Sequence, residues 1–404
     1  MSFCFKSSHL ASSISVMSLA AGLIFSPLTT QKTLAQTAIN GAGSTFIVPL
    51  VSGTGGWFNV YGRAVSPASN PPGPVNSSVQ IPYVGVGSGC GVAAFLSQKQ
   101  PANPPCPSTP AIPLPIAFAA TDAPLTSSQQ TVTGSPNAGP PVQVPVIAGP
   151  VALSYNSSLN VSGGLKLSRT TYCGIFTGNI KTLNGKTLTV VVRADSSGTT
   201  FSLTNHLNTA CNSTPYKWTR GVGTTVSWPT GFKQVTGGSA VASTVKSTAN
   251  AIGYVDAAAA RSAGLSTAAL QNSAGNYVSP TPSATSAALP NSSDTSASRI
   301  ITINVPDPTP SSAYPIIAVT YLVFYDRYSS SSVAAGIAGT TGTKGFITWA
   351  LPIPTTLSCP SGGQGSTTNA DIIAVCRGYA PLPANLKTKV INSVNTYVDT
   401  SVGL

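Results

Sequence analysis

R193-A-D-S-S-G-T-T-F-S-L-T-N-H-L207 follows directly on the apolar run L188-T-V-V-V192. The apolar run reads as a buried strand, and the stretch from Phe201 to Leu207 as a helix. Between them stand one Arg, one Asp, two Ser, a Gly and two Thr. Charge is scarce in this chain. Of 404 residues only 8 are acidic, all of them Asp, and 7% are charged, against roughly 25% in ordinary proteins. A charged turn beside a buried strand therefore calls for a chemical reason.

Three other small polar turns belong with it, and three of the four share one design of strand, Gly/Ser/Thr turn and helix. G41-A-G-S-T-F46 leads into I47-V-P-L50. Y83-V-G-V-G-S-G-C-G91 follows a strand-like run and opens a helix-like A-A-F-L, and A119-A-T-D-A-P-L125 follows L114-P-I-A-F118. A strand, a Gly/Ser/Thr turn and a helix make a site for an oxyanion. Glycine lets the backbone approach closely, and the first N–H groups of a helix lack partners inside it. Those donors and the positive end of the helix dipole favour an anion, hydroxyls add further donors, and a guanidinium adds a fork matched to two oxygens. The competing reading is that each turn is an ordinary N-cap.

Other chemistries fail on inventory. Neither G-x-S-x-G nor the G-x-x-x-x-G-K-[ST] phosphate loop occurs. Past the first 35 residues the only histidine is His206, which falls inside the helix expected after Gly198 and reads as structural. There is no Glu for paired-carboxylate work. Asp122 and Asp195 stand isolated, without the oxygen-ligand spacing of a metal loop. No cofactor or metal is expected.

Residues 1–35 read as a signal peptide. Lys6 is followed by an apolar stretch to Leu28 and a small-residue cleavage point at T33-L-A35. Six cysteines remain beyond it: Cys90, Cys106, Cys173, Cys211, Cys359 and Cys376. They allow about 15 pairings. Pairing neighbours (90 with 106, 173 with 211, 359 with 376) closes the shortest loops and is the arrangement expected. Without C-x-x-C, an oxidising compartment fits better than zinc. The formal charge of +12 comes from dispersed Lys and Arg, with no basic run or aromatic platform, so nucleic acid is not an expected partner. Short apolar runs (V79–V86, V144–L153, L188–V192, R299–V305) alternate with helical candidates (G91–L96, F201–L207, A240–K246, N385–Y397), which points to an α/β protein. Pro/Ser/Asn-rich stretches at 66–78, 99–109, 133–139 and about 273–298 read as surface loops.

Taken in order, the four turns resemble those of the periplasmic phosphate-binding proteins of ABC uptake systems, the PstS family. G41-A-G-S-T-F46 is similar to that family's G-A-G-A-T-F, Y83-V-G-V-G-S-G89 to Y-x-G-x-G-S, and A120-T-D-A-P-L125 to A-S-D-A-P-L. R193-A-D-S-S-G-T-T-F201 is similar to R-x-D-G-S-G-T-x-F, with Ser196 in place of a Gly. A251-I-G-Y-V-D256, Y314-P-I-I-A-V-T-Y-L322 and G378-Y-A-P-L382 extend the likeness over most of the chain, and C173-G-I-F-T-G178 resembles the related DING proteins. The Pro/Cys loop near 97–110 and the 359/376 cysteine pair depart from the pattern.

The resemblance implies a type II periplasmic-binding-protein fold, two α/β lobes with a hinge and a central ligand cleft. The first lobe would be 36–155 with 314–404, and the second 156–313. Phosphate would be held by Thr45, Phe46, Ser88 and Asp122 of the first lobe and Arg193, Ser197, Gly198 and Thr199 of the second. Asp195 would hold the Arg193 fork. The implied protein is a monomeric, non-enzymatic receptor in the periplasm or at the cell surface that hands phosphate to an ABC permease. The alternatives are a DING-like phosphatase using the same cleft, or an adhesive surface protein carrying N-x-S/T sites at Asn76, Asn156 and Asn212.

Overall fold

The computed structural model describes residues 36–62, 75–132, 138–340 and 343–400. The expected signal peptide and most of the loops at 66–78 and 133–139 lie outside the described residues. Nine strands form the main sheet: β1 (Gly41–Gly43), β2 (Tyr83–Gly85), β3 (Phe118–Thr121), β4 (Val142–Tyr155), β5 (Thr189–Arg193), β6 (Lys233–Val235), β7 (Ala251–Asp256), β8 (Ser266–Thr267) and β9 (Ile317–Phe324). Their spatial order is β6-β5-β7-β4-β9-β3-β1-β2, with β8 also on β4. The helices that matter below are α1 (Ser88–Ser97), α2 (Arg169–Thr177), α3 (Gly198–Ala210), α4 (Gly238–Ser247), α5 (Ala257–Ser262), α6 (Ala370–Cys376) and α7 (Ala384–Tyr397).

The sheet has two parallel ends and an antiparallel middle. β2, β1 and β3 run parallel at one end, and β6, β5 and β7 at the other. β4 belongs to both halves. Its residues Val142 to Pro150 pair antiparallel with β9, and Val151 to Tyr155 pair antiparallel with β7. All fourteen of its residues are buried, which explains an apolar run without alternation. Among the parallel strands, β2 leads into α1, β5 into α3, β6 into α4 and β7 into α5, and β1 into a short helix at Val48–Val51. The helices form where expected and run a few residues longer. α3, for example, begins at Gly198 because the Ser197 hydroxyl caps it, accepting the Thr200 N–H at 3.2 Å.

The three neighbour disulfides are formed: Cys90–Cys106, Cys173–Cys211 and Cys359–Cys376. R299–V305 is not a strand, contrary to its composition. It meets β4 at a single bridge, Ile300 to Gln143. Beyond that bridge, side chains take over from a ladder: the Gln143 amide donates to the Ile301 carbonyl, and the Tyr321 hydroxyl binds both polar groups of the Ile303 backbone. Asn156 is only 8% exposed and its amide donates to the Val245 and Lys246 carbonyls, so it is a structural residue rather than an open glycosylation site. Far from the turns, Lys387 of α7 is fully buried against Asp371 of α6, with N–O distances of 2.7 and 2.6 Å.

Candidate functional site

The six strands of the two parallel ends of the main sheet finish at one place, three from each half. Ser44, Thr45 and Phe46 follow β1, Ser88 follows β2 and Asp122 follows β3. Arg193 ends β5, Gly237 and Gly238 follow β6, and Asp256 ends β7. In open α/β sheets the carboxyl ends of the strands are where ligands bind. The sequence-predicted residues therefore come together, four from each half, and apart from Thr45, which is half-buried, all are buried.

The halves touch at the turns. The Gly89 N–H donates to the Ser196 carbonyl at 3.2 Å. A side chain on Gly198 would come within 2.4 Å of Ser88 Oγ and 2.7 Å of the Asp122 backbone nitrogen, so only glycine permits this approach. Gly87, with φ of 94°, needs glycine for its backbone angle and for its distance from Ser196 and Asp195. Beside the turns lies a cavity of about 330 Å³ between the halves, with Asp122, Phe201, Asn205 and Tyr321 among its walls.

Asp122 is 3% exposed and set in a ring of hydroxyls. Its Oδ2 accepts from Ser44 Oγ at 2.6 Å and from Ser88 Oγ at 3.4 Å, and its Oδ1 accepts from Thr320 Oγ1 at 2.6 Å. Burial pushes its pKa up to about 6, and the Ser44 and Thr320 hydroxyls, the Arg193 charge and Ser88 keep it from going further. At neutral pH the carboxyl is thus mostly ionised. A carboxylate pair of oxygens offers about four acceptor positions, and three hydroxyls leave room for one more donor.

Arg193, also 3% exposed, is fixed by its neighbours. Nε donates to Asp195 Oδ1 at 2.6 Å, and Nη2 donates to Asp195 Oδ2. Gly237 N–H completes the clamp on Asp195 at 2.9 Å. Burial alone would raise the Asp195 pKa, but the Arg193 bonds outweigh it and hold the carboxyl below its usual range. Nη1 has no hydrogen-bond partner among the described residues, which leaves one arm of the fork for a ligand.

The remaining predicted residues vary. Ser197 and the N–H groups of Gly198 and Thr199, which have no hydrogen-bond partner among the described residues, stand at the first turn of α3. Ser197 Oγ accepts from the helix, and its own proton stays available. The Phe46 N–H is already engaged, donating to Ser44 Oγ at 3.0 Å. His206 is buried in α3, bonded to the Pro306 carbonyl at 2.7 Å and the Tyr172 hydroxyl at 3.1 Å, and burial pushes its pKa down to about 4. It is a structural residue, as its place in the helix implies.

Sequence reasoning missed Ser44, Thr320 and Asp256. Ser44 had a signal, since it stands where the resembling motif carries Ala. Thr320 sits inside an apolar strand and had none. Its hydroxyl reaches Asp122 because β9 pairs with β3 at Tyr321–Thr121, next to an irregularity between Thr320 and Tyr321.

A family model described as the PBP superfamily domain matches residues 31–352. The phosphate-binding protein PstS of Xylella fastidiosa (strain Temecula1) is 28% identical over 366 residues, covering 87% of this chain and 83% of its own. Alkaline phosphatase L of Pseudomonas aeruginosa (strain UCBPP-PA14) is 30% identical over 349 residues, covering 78% of this chain and 82% of its own. Among solved structures, a high affinity periplasmic phosphate-binding protein (PfluDING) bound with phosphate has a TM-score of 0.62 at 25% identity, covering 88% of this chain and 93% of its own.

Proposed function

Because this chain belongs to the PBP superfamily and, within it, to the PstS family of phosphate-binding proteins, we propose that it captures inorganic phosphate between its two lobes and delivers it to an ABC-type permease. The lobes in this reading are 36–155 with 314–404, and 156–313, with the segment around 294–303 crossing back to lie on the first. The ligand groups are Thr45, Ser88, Asp122 and Phe46, whose N–H must first leave Ser44 Oγ, from the first lobe, and Arg193, Ser197, Gly198 and Thr199 from the second, with Asp195 steadying Arg193.

The observation that carries this reading is one buried carboxylate facing one buried guanidinium across the contact between lobes, each with a bonding position unfilled. Hydrogen phosphate satisfies both, since its oxygens take the Arg193 arm and its remaining proton goes to Asp122. Sulfate, without a proton, would set its oxygen against the carboxylate. With the carboxylate ionised, a site that requires a ligand O–H rejects analogues lacking it by roughly 10⁴-fold or more. The test is calorimetric titration of the ligand-free protein with phosphate and then sulfate. Tight 1:1 phosphate binding with sulfate silent is the expected outcome, and silence from both in a folded sample overturns it.

The kinship to a protein named alkaline phosphatase L favours a second reading, hydrolysis of phosphate esters in the same cleft. Against it, both ring nitrogens of His206 are engaged, by the Pro306 carbonyl and the Tyr172 hydroxyl. Release of phosphate from a phosphomonoester, abolished by Arg193→Ala, would establish it. The disulfides support an oxidising, extracytoplasmic location, and no helix among the described residues is long and apolar enough to cross a membrane.

A further inference from the structure

Of the six strand ends at the site, the one closing β7 carries a carboxyl to which the binding scheme gives no role. Asp256 is 3% exposed. Its Oδ1 caps α5, accepting the Ala259 N–H at 2.6 Å. No side chain donates to its Oδ2 among the described residues. A methyl group placed on Gly238 would lie 3.6 Å from Thr45 Oγ1 and 3.9 Å from both Arg193 Nη1 and Asp256 Oδ2. Thr45 and the unfilled arm of Arg193 are two of the groups assigned to the ligand, so the free oxygen of Asp256 borders the same small space. Asp256 holds in the second lobe the place that Asp122 holds in the first, at the carboxyl end of a parallel strand.

We propose that Asp256 is a second acid of the anion site, which shares a proton with the bound phosphate and makes binding take up a proton as the pH rises above neutral. This rests on the phosphate-binding reading of the cleft. An ionised Asp256 beside an oxyanion would be repelled by it, whereas a proton between them turns repulsion into a hydrogen bond. Whether that proton sits on the carboxyl or makes the ligand dihydrogen phosphate, the count is the same.

The titratable or charged groups facing Asp256 are Asp122 after β3, Arg193 at the end of β5 and the Tyr379 hydroxyl between α6 and α7. Burial, chiefly, then the Asp122 charge push the Asp256 pKa up to about 7, with its helix-cap bonds and Arg193 acting the other way. Tyr379 is pushed well above its usual value by burial and stays neutral throughout the range. In the ligand-free protein Asp256 therefore changes charge near neutrality, beside Asp122, which is also raised by burial.

Isothermal titration with phosphate, run at pH 6 and pH 8 in buffers of different ionisation enthalpy, counts the protons taken up. At pH 8 the wild-type protein should take up about 0.9 proton more than Asp256→Asn, and at pH 6 only about 0.1 more. Relative to that variant, the wild-type affinity should fall by up to about tenfold per pH unit above neutrality. Asn keeps the helix cap, and Asp256→Ser serves if the first variant does not fold. Equal proton counts in wild type and variant at pH 8 overturn the proposal and leave phosphate binding standing. Absence of phosphate binding by wild type at pH 6 would instead overturn the binding reading itself.

Discussion

Ser44→Ala tests the Asp122 environment most directly, because the one hydroxyl it removes donates to Asp122, while the same change releases the Phe46 N–H that this hydroxyl accepts. In the structure Ser44 Oγ donates to Asp122 Oδ2 at 2.6 Å inside a fully buried pocket. A hydrogen bond to a charged group is worth about 1.5–3 kcal/mol, and allowing for a water that partly replaces it leaves about 1.4 kcal/mol, or one pKa unit. The carboxyl then titrates near 7 rather than near 6. Sulfate can enter only against a protonated Asp122, whose population at pH 7 rises from about 10% to about 50%. Apparent affinity scales with the competent fraction, so sulfate should bind about fivefold more tightly to the variant. Phosphate, which needs the ionised form, should lose about twofold. The phosphate-to-sulfate preference drops about tenfold at pH 7 and stays about tenfold lower at pH 9, where the phosphate affinities of the two proteins converge because the carboxyl is ionised in each, while sulfate affinity still follows the small protonated fraction. Competition calorimetry, with sulfate displaced by phosphate, reads the ratio. A ratio unchanged at pH 7, or sulfate binding that strengthens with rising pH, would refute the role given to Asp122.

Arg193→Lys should weaken phosphate binding by roughly 100-fold (about 3 kcal/mol), because an ammonium can neither form the fork on Asp195 nor keep an arm for the ligand; calorimetry measures it. Lys387→Met leaves Asp371 buried without its partner and should cost about 3–5 kcal/mol in urea unfolding, with little effect on phosphate affinity, since the pair lies away from the strand ends. Replacing Cys173 and Cys211 together with Ala, which unties α2 from the end of α3, should lower stability by about 2–4 kcal/mol. In the ligand-free protein, burial raises Asp122 to about 6 and Asp256 to about 7 from an ordinary 3.8. An acid raised by folding contributes stability that is full below its unfolded pKa and is lost as the pH climbs through the folded value. The melting temperature should therefore fall between pH 5 and pH 8, and Asp256→Asn should remove the upper part of that fall.

The site was legible in the sequence where it is made of local chemistry. A Gly/Ser/Thr turn between a strand and a helix brings its own donors, so the Arg193–Thr199 and Gly85–Ser88 turns could be read without knowing what faces them. Neighbour disulfides were legible for the same reason, being short loops. What was not legible comes from sheet register. Thr320 lies 198 residues from Asp122 and meets it only because β9 runs antiparallel beside β3. Asp256 closed a stretch that fell outside the predicted site, until the β7–β5 pairing set it near Arg193. Composition misled at R299–V305, where pairing with β4 stops after a single bridge and side-chain bonds from Gln143 and Tyr321 take the place of a ladder. Conversely, Ser44 looked like one letter of a turn motif, yet it joins the Phe46 amide to the Asp122 carboxyl.

Strand β4 carries a consequence for how such a molecule is built. Its fourteen residues form a single spar, the forward part laced into one half of the sheet and the rear part into the other. The chain therefore has no seam. A cut within Val142–Tyr155 strips a central member from both sides at once, so neither half can be produced as a free-standing piece by truncation. Any rocking of one side against the other would have to twist that spar, because it is hydrogen-bonded into both.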